Sequence, residues 1–282
     1  MKKALCIVTV LAVAGLLLSS CQNKKQATES VVGSAGNTAA VTNIVVGTGN
    51  KYEPYCYADS SGNLIGYDYQ VLVEVDRRLP QYSFSYETFD FANILLSLGA
   101  GKIDIAAHEY EENPDRRATY LYGDERYSDY DSWLMVHADG PWATINSLDE
   151  IAGNPNAIVG VNLGSNMEAF IKTYNQTHTA QIAYQTYVIE APTLLLENLK
   201  SGRWSAALLM LVMAERYNKI GNGLRLIPRG ETPAIESGAY FIFAKNNPAL
   251  KEAVDGALRD MKADGTLARI YKEAVLDYFA NL

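Results

Sequence analysis

The feature that most constrains this fold is an alternation of short apolar runs with amphipathic helical segments, which occurs twice along the chain. The first block comprises residues 43–47, 67–79, 92–99 and 103–107. The second block comprises residues 157–161, 165–174, 182–184, 191–200 and 205–209. Short apolar strands that alternate with helices indicate crossover connections and a mainly parallel sheet covered on both faces. We therefore predict two α/β units of similar size.

Two further apolar runs indicate how the units are joined. Residues 133–136 lie between the blocks, and residues 240–244 follow the second block. If the later run returns to the first unit, the two connections form a two-strand hinge, with a cleft suited to a small ligand between the lobes. We predict that lobe 1 consists of residues 43–136 and 239–282, and lobe 2 of residues 137–238.

The N terminus has the features of an export signal. Two lysines precede an apolar run at residues 4–18, and two serines come directly before Cys21. This order is typical of a lipoprotein signal peptide. The run is also shorter than the roughly 20 apolar residues that a membrane-spanning helix needs. We expect removal of residues 1–20 and attachment of lipid to Cys21. The alternatives are an uncleaved anchor or an ordinary signal peptide.

The segment that follows, residues 21–42, is predicted to be a flexible tether. It is rich in Gln, Asn, Ser, Thr, Gly and Ala. A coil of this length spreads over about 25 Å. Of the three cysteines, Cys6 would be lost with the signal and Cys21 would carry lipid. Cys56 is then expected to be a small buried hydrophobic residue, with a reactive thiol as the alternative.

The charge distribution excludes one class of partner. The net charge is −8, and the basic residues are dispersed along the chain. Nonspecific binding of nucleic acid needs a clustered basic surface, so we expect no nucleic-acid partner. The three histidines lack the spacing of metal ligands, and we expect neither a metal nor a cofactor.

Six segments, in this order along the chain, resemble the amino-acid-type (family 3) extracellular solute-binding proteins of ABC importers, in their lipoprotein form. They are V-G-T at 46–48, Y-E-P-Y at 52–55, G-N-L-I-G-Y-D at 62–68, the run at 98–104, N-P-D-R-R at 113–117 and M-K-A-D-G-T-L-A-R-I-Y at 261–271. The resemblance covers residues 43–275. It implies an α/β, two-lobed, periplasmic-binding-protein-like fold of type II, with two α/β lobes joined by a two-strand hinge.

The same resemblance implies a function. Family members close around an amino acid and deliver it to an ABC permease, and this chain would do so as a monomer tethered to the membrane by Cys21. Residues 91–94 and 107–114 resemble the cystine and sulfur-amino-acid branch of the family. We therefore expect a polar or sulfur-containing amino acid as the ligand, with cystine among the candidates.

Arg116 lies at the family position that binds the ligand α-carboxylate. A guanidinium suits this role because it can donate two parallel charge-assisted hydrogen bonds. The resemblance also places Gly164, Ser165 and Asn166 at the start of a lobe 2 helix, where backbone N–H groups attract an anion. Capping of that helix by Ser165 is the structural alternative. Arg117 is assigned to a solvated charge run.

Three aromatic residues, Tyr52, Tyr55 and Phe89, match family positions that stack on the ligand. An ordinary aromatic core is the alternative for each. Because the chain has 19 tyrosines, tyrosine alone is a weak indicator of a site.

One departure from the family pattern leaves the ligand ammonium without its usual partner. The family has an aspartate where this chain has Met210. Three carboxylates are candidates to replace it, namely Glu109, Glu111 and Glu190. His108 is either a hydrogen-bonding group of the pocket or a structural histidine.

Two other functions remain open. Some exported dehydratases that act on prephenate or arogenate resemble these binding proteins, and Glu109, Glu190 or His108 could serve as their general acid. A ligand sensor or adhesin on the same fold is the third possibility. We favour a receptor without enzymatic activity.

Overall fold

The computed structural model describes residues 40–231 and 233–282. The predicted signal peptide, Cys21 and the tether as far as residue 39 lie outside the described residues. Within the described part of the chain, no helix is both long enough and apolar enough to span a bilayer.

The first part of the chain forms a three-stranded parallel core with helices against it. Its elements are β1 (Thr42–Thr48), β2 (Lys51–Tyr52), β3 (Cys56–Ala58), β4 (Leu64–Ile65), α1 (Tyr67–Arg78), β5 (Tyr82–Thr88), α2 (Phe91–Gly99), β6 (Ile105–Glu111), α3 (Pro114–Thr119) and β7 (Leu121–Tyr122). β1 lies between β5 and β6 and is parallel to both. The predicted apolar face of α1 is buried at Val71, Leu72 and Val75.

The middle of the chain repeats this architecture. Its elements are β8 (Ser128–His137), α4 (Leu148–Ile151), β9 (Val159–Asn162), α5 (Asn166–Thr177), β10 (Tyr184–Tyr187), α6 (Thr193–Lys200), β11 (Ala206–Leu209), α7 (Leu211–Ile220) and β12 (Leu226–Arg229). β9 lies between β10 and β11 and is parallel to both. Each half of the protein therefore has its own parallel core.

The chain then returns to the first half. The remaining elements are β13 (Ile235–Phe243), α8 (Pro248–Ala263), α9 (Thr266–Tyr271), a π-helical turn (Lys272–Leu276) and α10 (Asp277–Ala280). The strand order across the large sheet is β10-β9-β11-β8-β13-β6-β1-β5. Sequence-distant strands are thus neighbours at the centre of the sheet.

Two long strands, β8 and β13, connect the halves. They pair antiparallel from Ser128 opposite Ala239 to Ser132 opposite Ile235. Beyond this ladder β8 pairs with β11 and β12, whereas β13 pairs with β6. This is the predicted two-lobed α/β architecture with a two-strand hinge. Below, lobe 1 means the residues before β8 and after β13, and lobe 2 means the residues between these strands.

The strand register adds detail to the predicted lobe limits. Trp133 pairs with Leu209, and Met135 pairs with Ala207. These residues belong to the run that the sequence assigned to lobe 1, and their partners are lobe 2 strands. We propose that the change of lobe along β8 comes directly after Ser132.

Two sequence predictions about the sheet need correction. The prediction of a mainly parallel sheet is right only for the two parallel cores, because the hinge strands run antiparallel to their neighbours. We also predicted no strand at Tyr82–Thr88, which forms β5 in the structure. Its Tyr-Ser-Phe-Ser-Tyr alternation has the period of a half-buried strand.

A β-bulge changes the direction of the side chains at the end of β6. Ala106 pairs with Ile242 and Tyr110 with Tyr240, so β6 has two more residues than β13 over this interval. Glu109, within the bulge, has a φ of 48°, which is uncommon for a residue other than glycine. Bulges of this kind redirect side chains and are frequent next to functional sites. The bulge lies in the stretch that the sequence singled out.

Candidate ligand-binding cleft

Arg116 lies on the short helix α3 of lobe 1 and faces lobe 2. Asn113 caps this helix by accepting a hydrogen bond from the Arg116 N–H at 2.9 Å. The guanidinium donates to the Gly164 carbonyl at 2.8 Å, and its Nη1 has no hydrogen-bond partner among the described residues. Burial lowers the pKa of Arg116, but nearby Glu111 raises it, and the net shift is upward. The side chain is therefore a buried cation with an unused donor.

Two aromatic rings support the guanidinium. Its central carbon lies 5.2 Å from the ring centroid of Tyr110 and 5.8 Å from that of Phe91. Both rings are buried and pack against each other. Cation–π contacts at these distances fix the orientation of the guanidinium toward lobe 2.

The N terminus of α5 meets Arg116 from the opposite lobe. Ser165 caps the helix by accepting a hydrogen bond from the Glu168 N–H at 3.4 Å, and Glu168 accepts one from the Gly164 N–H at 2.7 Å. The capping role considered for Ser165 is thus present. Gly164 directs its carbonyl, not its N–H, toward Arg116. The sequence argument had considered only the N–H groups of this turn.

Glu111 lies between these two groups. Its Oε1 accepts a hydrogen bond from the Asn166 N–H at 2.7 Å and is 3.6 Å from Arg116 Nη1. Asn166 also donates from its side chain to the Glu112 carbonyl at 2.5 Å. A carboxylate of the protein therefore sits at the helix N terminus where the resemblance predicts the ligand carboxylate.

Glu190 reaches across from lobe 2 to a different part of lobe 1. Its Oε1 accepts a hydrogen bond from the Phe91 N–H, the first residue of α2, at 2.7 Å. The same oxygen lies 3.9 Å from His108 Nε2, and both side chains are almost fully buried. Burial lowers the pKa of His108 to about 4, with a smaller contribution from Arg116. His108 is consequently neutral at physiological pH.

The three aromatic candidates differ in position. Tyr52 stacks on His108 with ring centroids 4.8 Å apart, and its hydroxyl donates to Met210 Sδ at 3.4 Å. Tyr55 is buried and packs against Tyr52 and Tyr67. Phe89 is half-buried after the end of β5. Tyr52 is thus in contact with both lobes, whereas Tyr55 and Phe89 contribute mainly to lobe 1 packing.

Glu109 points away from the cleft into lobe 1. Its Oε2 accepts a hydrogen bond from the Ser128 hydroxyl at 2.7 Å, and its backbone N–H donates to Asp68 Oδ2 at 3.0 Å. Burial and the neighbouring Asp68 raise the pKa of Glu109, and burial raises the pKa of Asp68 to about 6. The positive φ at Glu109 produces this inward orientation. Of the three carboxylates nominated from the sequence, Glu111 and Glu190 therefore face the other lobe, and Glu109 does not.

Three cleft residues were not nominated from the sequence. Phe91 and Tyr110 support Arg116, and Asn113 donates to the Asn166 side chain at 2.5 Å. Asn113 could have been found, because Asn before Pro is typical of a helix start and places it one turn from Arg116. The roles of Phe91 and Tyr110 depend on the packing of α2 against β6, which local sequence does not reveal.

A cavity of about 550 Å³ lies between the lobes next to the hinge. Its lining includes Tyr55, Tyr130, Trp133, Met210 and Tyr271. Arg116 and His108 are not among the lining residues, since direct contacts between the lobes close the region around them. Entry of a ligand at Arg116 therefore requires the lobes to separate.

Comparison with known proteins identifies the family. The model for bacterial extracellular solute-binding proteins, family 3, matches residues 44–276. The chain belongs to this family. The L-cystine-binding proteins TcyK and TcyJ of Bacillus subtilis are 31% and 28% identical to it, over 90% and 97% of this chain and 89% and 95% of theirs.

A solved structure agrees with this assignment. The putative L-cystine ABC transporter protein from Listeria monocytogenes superposes with a TM-score of 0.73 at 32% identity, covering 83% of this chain and 96% of that one. The relatives and the two-lobed architecture together support the amino-acid-binding family assignment and its cystine branch. Members of the family are extracytoplasmic.

Proposed function

We propose that this protein is a lipid-anchored receptor that binds an amino acid between its lobes, in the cystine class, and delivers it to an ABC permease. The observation that carries this proposal is the Arg116 guanidinium, which donates to the Gly164 carbonyl of the other lobe and whose buried Nη1 has no hydrogen-bond partner among the described residues. A ligand carboxylate is the chemical group that such a donor binds best.

Binding and closure are coupled in this proposal. The carboxylate would contact Arg116 of lobe 1 and the α5 N terminus of lobe 2. A ligand shifts a two-state equilibrium only by its different affinity for the two states, and contacts to both lobes exist only in the closed state. The closed form would then dock on the permease. Relatives named as L-cystine-binding proteins support cystine as the first ligand to test.

Lipid attachment at Cys21 would keep the receptor near its permease. A flexible tether of about 25 Å raises the local concentration of the folded body at the membrane. Replacing Cys21 by Ser should move the protein from the membrane fraction to the soluble fraction. Retention of the variant in the membrane would contradict lipid anchoring at this residue.

The decisive experiment compares two adjacent arginines. Thermal-shift screening of amino acids, including L-cystine, identifies a ligand, because a ligand stabilises by RT ln(1 + [L]/Kd). Calorimetry on Arg116→Ala should then give at least a 100-fold loss of affinity, with the fold intact by circular dichroism. Arg117 pairs with the exposed Glu112, so Arg117→Ala is the matched control and should bind normally. Equal affinity of Arg116→Ala and the wild type would refute the assignment.

The dehydratase alternative needs a general acid over the ligand. Glu109 faces Asp68 and Ser128 inside lobe 1, which disfavours it for this role. Incubation of the purified protein with prephenate, followed by product absorbance, tests the enzyme directly. A sensor on the same fold would bind the amino acid but support no uptake by a co-expressed permease.

A further inference from the structure

The cleft lacks the carboxylate that the family pattern implies for binding the ligand ammonium. Met210, at the position where the resemblance predicts an aspartate, is buried and accepts a hydrogen bond from the Tyr52 hydroxyl. A thioether cannot balance a positive charge. If the ligand is an amino acid, as proposed above, some other group must accept the ammonium hydrogens.

His108 provides one unused acceptor. Its Nε2 is buried and has no hydrogen-bond partner among the described residues. We assign the proton of the neutral ring to Nδ1, which leaves a lone pair on Nε2. Tyr52, stacked on the ring, holds its plane in position.

Glu190 provides the second acceptor, and it belongs to the other lobe. Its Oε1 lies 3.9 Å from His108 Nε2. A nitrogen atom can lie about 2.9 Å from both atoms, which is a normal hydrogen-bond length. The carboxylate supplies the negative charge that Met210 lacks.

The other two carboxylates nominated from the sequence are less suitable. Glu109 is directed at Ser128 and Asp68 inside lobe 1. Glu111 lies 3.6 Å from the Arg116 cation, so its charge is already balanced, whereas the hydrogen bond that Glu190 Oε1 accepts comes from the neutral Phe91 N–H.

We propose that His108 and Glu190 together bind the ligand α-ammonium, one residue from each lobe. The ammonium anchor is thereby split across the cleft and replaces the single lobe 2 carboxylate that the family pattern implies. Because each lobe supplies half of the anchor, the ammonium contributes to closure as well as to affinity.

The test uses a ligand with and without its amino group. The probes are the amino acid that stabilises the protein most in the thermal-shift screen and the carboxylic acid that lacks its amino group. For L-cystine the second probe is 3,3′-dithiodipropionate. Calorimetry measures the affinity of both probes for the wild type, Glu190→Gln, His108→Leu and the control Glu112→Gln. Glu112 has an exposed side chain that pairs with Arg117.

The wild type and Glu112→Gln should prefer the amino acid by at least 100-fold. Glu190→Gln should lose at least 30-fold in affinity for the amino acid and less than threefold for the amine-free acid. His108→Leu should show the same selective loss, tenfold or more. Small-angle scattering should show closure with the amino acid and weaker closure with the amine-free acid.

Two results would overturn the proposal. Equal losses for both probes in Glu190→Gln would assign this residue only to the Phe91 contact and to general closure. An unchanged preference in both variants would place the ammonium elsewhere. Absence of binding of every amino acid to the wild type would instead refute the proposed function, and the anchor with it.

Discussion

Two of the groups of contacts between the lobes differ in kind. The cleft contacts join Glu111, Asn113 and Arg116 of lobe 1 to Gly164 and Asn166 of lobe 2. Glu111 and Asn113 are buried, Arg116 and Asn166 are half-buried and Gly164 is exposed, and two of the contacts involve backbone groups. A ligand carboxylate bound at Arg116 would compete with them directly.

The second group, which we call the C-terminal contacts, joins Glu53 and the C-terminal helix α10 of lobe 1 to α7 of lobe 2. Glu53 and Tyr278 of lobe 1 bind Arg216 on α7, and the Phe279 carbonyl accepts a hydrogen bond from Lys219. The side chain of Glu53 is 32% exposed, so the ion pair is partly screened by solvent. We expect the cleft contacts to respond to ligand and the C-terminal contacts to set a ligand-independent tendency to close.

Among these contacts between the lobes, substitution of Glu111 should change the ligand affinity most. Its carboxylate occupies the Asn166 N–H and partly neutralises Arg116, so a ligand carboxylate must displace it. Glu111→Gln should therefore bind the ligand about tenfold more tightly, equivalent to about 1.4 kcal/mol. Calorimetry measures the change. Weaker binding in this variant would instead mean that Glu111 contacts the ligand ammonium.

A smaller effect is expected at the C-terminal contacts. Arg216→Ala removes a partly exposed ion pair between the lobes, which should reduce the closed population and weaken binding by two- to fivefold. The difference from wild type should shrink at 1 M salt, where charges are screened. Arg225 forms a more exposed pair with Asp139 within lobe 2, so Arg225→Ala is the control and should leave affinity unchanged. Equal losses of ligand affinity in Arg216→Ala and Arg225→Ala would contradict a role of the C-terminal contacts in closure.

The smallest effect on binding is expected at the carboxyl pair inside lobe 1. Burial raises the folded-state pKa of Asp68 to about 6 and also raises that of Glu109. The protonated pair stabilises the fold fully below the unfolded pKa values near 4, and this stability is lost as pH rises through the folded values. Wild-type stability should therefore fall as the pH rises from about 4 to about 6, by an amount on the order of 2 kcal/mol from Asp68, and fall further through the raised pKa of Glu109.

Glu109→Gln removes one of the two titrating groups of this pair. Its thermal unfolding temperature should depend less on pH over the same range, while ligand affinity stays within twofold. Thermal melts at several pH values, with Glu112→Gln as the control, measure this. An undiminished pH dependence in Glu109→Gln would mean that other groups cause it.

The sequence predicted the two-lobed α/β fold, because each parallel core is built from local strand and helix patterns. It identified Arg116 and the α5 N terminus as site candidates through family resemblance, and the structure places them opposite each other. The inward orientation of Glu109 could not be predicted. It depends on a bulge, and the bulge depends on pairing with β13, about 130 residues later in the chain.

Contacts between the lobes were equally inaccessible to sequence reasoning. Glu190 and His108 are separated by 82 positions, and their approach depends on how far the hinge strands let the lobes close. β5 differs from these contacts because its alternation of aromatic and polar residues is a local pattern, from which a strand can be predicted.

The buried Cys56 bears on the chemistry of a disulfide ligand. Its thiol is fully buried, as the sequence predicted, and burial raises its pKa. Cys56 Sγ and His108 Nε2 both lie close to Gly49, so the thiol is near the proposed ammonium anchor. Thiol–disulfide exchange requires a thiolate, and this environment suppresses it. If cystine is the ligand, as proposed, it would be held beside this cysteine without forming a mixed disulfide.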